Sequence, residues 1–75
     1  MTTLYLNNNK INIIEENSFV VLINLRTLWL YNNELTEVKR NTFKGLTSLT
    51  LLYLHYNKIN TILENSLVEL INLNT

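Results

Sequence analysis

The chain has 75 residues, with six basic and six acidic side chains and one histidine, so its formal net charge is zero at pH 7. This length allows one small domain and leaves no room for a second one. The balanced charge disfavours nucleic-acid and anionic-membrane partners, and the absence of cysteine excludes disulfides, thiolate nucleophiles and sulfur-ligated metals.

The first predicted element is a short strand near the N-terminus. Leu4 and Leu6 flank Tyr5, which is the alternation expected of a strand with one buried face. A tight turn is predicted next, near Asn8 and Asn9. The apolar residues that follow are spaced too irregularly for one continuous helix, so the rest of the first 24 residues is predicted to be mostly loop.

A brief 3₁₀ or α turn is predicted within this loop, just before Phe19. The side-chain oxygens of Asn17 and Ser18 can cap such a turn. Asn41 and Thr42, and later Asn65 and Ser66, supply the same oxygens before the equivalent apolar residues.

The same pattern recurs at a spacing of 24 residues, which gives repeats 1–24, 25–48 and 49–72 and the start of a fourth at 73–75. Strands that recur in this way are expected to pair in parallel through right-handed crossovers. Eight positions align across the repeats, seven of them apolar and one asparagine. The apolar columns include Leu4, Leu28 and Leu52 as well as Phe19, Phe43 and Leu67, and the last column falls at Leu25, Leu49 and Leu73.

The three repeats are not equally similar. Repeats one and three share 16 of 24 residues, whereas repeats one and two share 8. This order suggests duplication of a two-repeat pair, so we expect residues 1–75 to be a single repeat domain taken from a longer array.

Residues 25–35, LRTLWLYNNEL, read as LxxLxLxxNxL, and the chain resembles the leucine-rich repeat family along essentially its whole length. With Val38, Phe43 and Leu46, the pattern is similar to the typical 24-residue class. The resemblance implies an α/β solenoid: a right-handed leucine-rich-repeat coil, or horseshoe segment, with a short parallel concave sheet and a mostly irregular convex side. It also implies protein partners on the concave face, and it favours an extracellular or cell-surface location, although the sequence shows no signal peptide or cysteine-rich cap.

One asparagine per repeat follows the predicted strand, at Asn9, Asn33 and Asn57. At this bend the backbone N–H and C=O groups leave the strand, and unpaired buried groups would cost roughly 1–3 kcal/mol each. We therefore expect a structural ladder of stacked asparagines, and we prefer it to a polar ligand site, which would need exposed amides.

The outward strand positions are rich in aromatic residues. Alternation places Tyr5, Trp29 and Tyr53 in one row opposite the core, and Tyr31 and Tyr56 beside it. Exposed Tyr and Trp are typical of binding hot spots, but a row of this kind also stabilises a sheet without binding anything. The residues expected at the contact surface are Tyr5, Thr27, Trp29, Tyr31, Tyr53, His55 and Tyr56.

No catalytic, metal or cofactor site is predicted. Gly45 is the only glycine, so a phosphate-binding glycine loop is excluded, and His55 has no second histidine, aspartate or cysteine to act with it. The longest apolar stretch, from Phe19 to Ile23, is far shorter than the roughly 20 residues of a membrane span.

Two functions therefore stay open. The first is a non-enzymatic module that binds a protein or peptide ligand, with no role for nucleic acid or membrane insertion. The second is a structural spacer or assembly segment that stacks through its uncapped ends. The apolar edges of the terminal coils also predict end-to-end self-association.

Overall fold

The computed structural model describes residues 1–62, which form short strands joined by turns and loops. β1 spans Thr3–Tyr5, β2 Thr27–Trp29, β3 Glu37–Val38, β4 Leu51–Tyr53 and β5 Thr61–Ile62. The remainder of repeat 49–72, with the predicted turn at Asn65 and Ser66 and the apolar positions Leu67, Leu70 and Leu73, lies outside the described residues, as does the predicted fourth repeat at 73–75.

The main sheet contains β1, β2 and β4 in that order, all parallel. Its register pairs Leu4 with Leu28 and Leu28 with Leu52. The ladder continues past the strand ends, because the backbone N–H of Leu6 donates to the carbonyl of Trp29 at 2.8 Å. The register confirms the predicted repeat spacing and the predicted parallel stacking of successive strands.

A second, two-stranded parallel sheet joins β3 to β5, with Glu37 opposite Thr61 and Val38 opposite Ile62. The sequence predicts only irregular chain here, since two residues are too short for alternation to be recognised. The equivalent residues 13–14 of the first coil form no strand. The second sheet keeps the same register as the first, so both sides of the coil follow the repeat.

The interior is lined by the predicted apolar positions, and the middle coil buries all seven of its own. Each is at most 2 % exposed, and burial of one such side chain contributes about 1.5–3 kcal/mol. Their equivalents in the first coil are mostly half-buried, because a neighbouring coil covers them on one side only. The seven buried residues are Leu25, Leu28, Leu30, Leu35, Val38, Phe43 and Leu46, and Leu49 at the start of the third coil is buried as well.

Segments 16–21 and 40–45 are successive turns in which the N–H groups of Ser18 and Thr42 donate to the carbonyls three residues earlier, both at 3.3 Å. This is the bonding of the brief 3₁₀ turn that the sequence predicts, but no helix continues from it. Asn17 has a φ of 68°, and a left-handed residue does not continue a right-handed helix. The Ser18 hydroxyl donates to the Glu15 carbonyl at 2.6 Å, and the Thr42 hydroxyl accepts from the Lys39 N–H at 2.8 Å. The predicted capping oxygens of Ser18 and Thr42 therefore form hydrogen bonds within each turn, to the residue three positions earlier.

Gly45 lies where the backbones of two neighbouring coils approach closely. Its φ of +97° is one that L side chains rarely adopt, and a Cβ built at this position would lie 2.4 Å from the Cα of Val20. Only glycine fits both conditions without a shift of backbone. The equivalent position of the first coil is Val21, which is exposed.

Candidate functional site

The strands end at a bend that the repeated asparagines hold in place. The side-chain N–H groups of Asn33 donate to the carbonyls of Leu6 and Leu30, both at 2.9 Å, and its side-chain oxygen accepts from the backbone N–H of Ile11 at 3.1 Å. Asn33 thus joins its own coil to the preceding one while it is only 6 % exposed. These bonds satisfy backbone groups that have left the strand ladder.

The other two asparagines of this column differ in how far they reach. Asn57 repeats the pattern, donating to the carbonyls of Leu30 at 3.0 Å and Leu54 at 2.9 Å and accepting from the N–H of Leu35 at 3.0 Å. Asn9 is exposed and bonds only to carbonyls of its own coil. The column therefore ties coil one to coil two and coil two to coil three.

A second polar column lies one residue earlier, at a left-handed backbone position. Asn8, Asn32 and Tyr56 have φ values of 60°, 59° and 56°. The Asn32 side chain donates to that of Asn8 at 2.7 Å. Asn tolerates this conformation, but a bulky residue is an outlier in it. Tyr56 therefore breaks the column, and its side chain is 77 % exposed.

An aromatic row crosses the main sheet on the side away from the leucine interior. Tyr5, Trp29 and Tyr53 are in register on β1, β2 and β4. The Trp29 ring meets the Tyr5 ring edge to face with centroids 4.8 Å apart, and the Tyr53 ring in the same way at 5.4 Å. The row that alternation predicts is thus present, and Trp29 lies at its centre.

A second aromatic row lies beside the first, two residues further along each strand. The Tyr31 and His55 rings are stacked, with centroids 4.6 Å apart and planes 7° from parallel. In the first coil the same position is Asn7, whose side chain donates to the Tyr31 hydroxyl at 3.2 Å. Tyr56 meets His55 edge to face at 4.9 Å. We call the two rows together with Tyr56 the aromatic face.

Exposure divides the predicted contact residues into two groups. Tyr5 is 64 % exposed, and His55 and Tyr56 are exposed as well. Trp29 is only half-buried rather than exposed, because the rings of its neighbours cover it. The half-buried members of the predicted set are Thr27, Trp29, Tyr31 and Tyr53.

The Trp29 indole nitrogen is a buried donor without an acceptor. Burying such a group unpaired costs roughly 1–3 kcal/mol. The sequence gives no signal of this, since it depends on how rings from three different coils pack together. Tyr56 carries a weak signal, because it alone replaces Asn in its column.

The aromatic face has no fixed charge. Its nine strand positions, the outward residues 3, 5, 7, 27, 29, 31, 51, 53 and 55, contain no Lys, Arg, Asp or Glu. Arg26 precedes β2, and the exposed Lys10, Glu34 and Lys58 follow the bend with alternating sign. Residues 1–62 contain no group of three or more His, Cys, Asp or Glu side chains suited to a metal ion. The arrangement suits contact through rings and neutral hydrogen bonds.

The described part of the chain contains no helix long and apolar enough to cross a membrane.

A family model described as "Leucine rich repeat" matches residues 23–75. No curated protein matches the chain.

Among solved structures, the chain is similar to one titled "Crystal structure of TLR13-ssRNA13 complex". The two are 32 % identical in sequence and superpose with a TM-score of 0.92. The match covers 97 % of this chain and 10 % of that one, so the chain spans about a tenth of the length of its structural neighbour.

Proposed function

The chain belongs to the leucine-rich repeat family, and we propose that its aromatic face binds a protein partner. The repeats of this family are in general non-enzymatic interaction scaffolds. The surface proposed for this contact is the concave sheet face that the family resemblance implies. It is centred on Tyr5, Trp29, Tyr31 and Tyr53.

The observation that carries the proposal is a continuous set of rings on a sheet whose strand ends are joined by hydrogen bonds between coils. One row of rings packs across three strands and a second row across the last two coils, and the bends after the strands are joined by asparagine hydrogen bonds between coils. Large side chains that are already ordered lose little entropy on binding. The most exposed rings, Tyr5 and Tyr56, border this ordered cluster.

A protein fits this surface better than a nucleic acid does. Single-stranded RNA binding combines stacking on aromatic side chains with a positive groove along the phosphates. The aromatic face offers rings, but its nine strand positions contain no Lys or Arg. The structural neighbour named above carries RNA in its title, so RNA belongs in the test as a competing ligand.

A structural role is the second candidate, and one observation favours it. Leu4, Leu6 and Ile11 are half-buried, while their equivalents in the middle coil are buried. Another coil stacked on this edge would bury them further and gain apolar contact. In that case the first coil, and not the aromatic face, would carry the contact, including end-to-end self-association.

The test starts from binders selected on the wild-type chain from a displayed library of random peptides. Each binder is then measured against Tyr5→Ala and against Val21→Ala, a matched control that removes an exposed apolar side chain from a turn. We expect Tyr5→Ala to weaken binding and Val21→Ala to leave it unchanged, with both variants folded by circular dichroism. Binders that ignore Tyr5→Ala but are lost with Leu4→Ala would favour the structural role.

A further inference from the structure

We propose that the aromatic face takes a proline-rich segment in the polyproline II conformation, lying across the strands. This inference rests on the proposed function and specifies its ligand. Three features of the face lead to this ligand: its lack of charge, its unpaired donor and the spacing of the rings within each row.

The absence of charge sets the chemistry of the ligand. No residue of the nine strand positions would pair with a charged partner side chain, and a charged group placed on these rings would lose hydration without compensation. Proline rings are apolar and uncharged. Aromatic-lined grooves are the surfaces on which proline-rich segments dock, since their conformation is already formed before binding.

The hydrogen-bonding groups of the face are complementary to such a segment. Trp29 has a buried N–H group with no acceptor, and proline contributes carbonyl oxygens without any N–H. The Tyr5 ring, 4.8 Å from Trp29 and 64 % exposed, is free to change rotamer. Binding requires that the rings packed on Trp29, of which Tyr5 is the most exposed, shift enough for a peptide carbonyl to reach the buried indole N–H, which then gains the acceptor it lacks.

The spacing of the rings within a row favours one conformation of the bound peptide. Neighbouring strands lie about 4.8 Å apart, so Tyr5 and Tyr53 are separated by about 9.6 Å. Three residues of polyproline II advance about 9.3 Å, so every third proline meets an equivalent ring. An extended strand repeats a face about every 6.6 Å and an α-helix about every 5.4 Å. Neither of these repeats matches the separation of the rings within a row, which is about 4.8 Å between neighbours and about 9.6 Å between alternate rings.

The experiment titrates the whole chain with an all-proline peptide of about twelve residues, which adopts polyproline II. A Gly/Ser peptide of equal length, which is flexible, and oligouridylate RNA serve as competing ligands. Binding is measured by calorimetry, and the Trp29 indole N–H resonance is followed by NMR. We expect saturable binding of the proline peptide alone, together with a shift of the indole resonance.

Variants then test the assigned contacts. Trp29→Phe keeps a ring and removes the donor, so proline-peptide affinity should fall about two- to tenfold, the worth of one hydrogen bond. Tyr5→Ala should weaken binding too, while Val21→Ala should not. Equal affinity for Trp29→Phe and wild type, or binding of the Gly/Ser peptide equal to that of the proline peptide, would overturn the inference.

The failure of this inference and the failure of the proposed function can be told apart. If library binders depend on Tyr5 but contain no proline, and the proline peptide does not bind, the ligand is wrong and the protein-binding face stands. If oligouridylate alone binds in a Tyr5-dependent way, the surface is correct and both ligand assignments are overturned. If no ligand depends on Tyr5, both proposals fail.

Discussion

Replacing Tyr56 by Asn should make the protein more stable. Tyr56 has a φ of 56°, a left-handed conformation that costs an L-residue roughly 1–2 kcal/mol and that Asn adopts more readily. The new Asn would also stand beside Asn32, in the arrangement in which Asn32 bonds to Asn8 at 2.7 Å. The loss is the exposed edge contact with His55, worth about 0.5 kcal/mol.

The net effect is a gain of about 1 kcal/mol in the free energy of unfolding, which raises the Tm by roughly 4–8 °C in a domain of this size. Chemical and thermal denaturation followed by circular dichroism measure both quantities. The mirror substitution Asn32→Tyr is the control, and it should lose about 1–2 kcal/mol through strain and the broken bond to Asn8. Unfolding of Tyr56→Asn at lower denaturant than wild type would refute the strain argument.

Three further predictions concern the bend, the coil contact and the centre of the aromatic row. Asn33→Ala should cost about 2–4 kcal/mol, because it removes three hydrogen bonds to the backbone and leaves the N–H of Ile11 without its acceptor, whereas the exposed Asn9→Ala should cost under about 1 kcal/mol; equal losses in urea denaturation would contradict the ladder role. Gly45→Ala should cost about 2–4 kcal/mol through its positive φ and the clash with Val20, and a wild-type Tm would show that the coils can part at no cost. Trp29→Phe should leave the free energy of unfolding within about 1 kcal/mol of wild type, since it removes an unpaired donor along with part of the ring; a loss above about 3 kcal/mol would mean that the indole N–H is paired.

The sequence predicts the parts of this fold that every repeat encodes in the same way. Each coil places leucines such as Leu28 and Leu52 in the same environment, so the 24-residue spacing determines both the buried columns and the strand register. Tyr5, Trp29 and Tyr53 follow from the same alternation. Because the pattern repeats, contacts between distant residues can be predicted from a local pattern.

The features that the sequence does not predict depend on packing between coils. The burial of Trp29 follows from rings on three strands, and alternation alone places it simply outside the core. The pairing of Glu37–Val38 with Thr61–Ile62 involves strands too short to show a period. The turn before Phe19 has bonds of the predicted 3₁₀ type, but the positive φ of Asn17, which propensity does not reveal, keeps it from extending into a helix.

The most direct test of the central claim is an NMR map of the surface that a selected binder covers. Backbone and indole resonances of the isotope-labelled chain are compared before and after saturation with that binder. The account predicts that the perturbed resonances concentrate on Tyr5, Trp29, Tyr31 and Tyr53. Perturbations confined to the turn at 16–21, with the indole resonance of Trp29 unmoved, would contradict it.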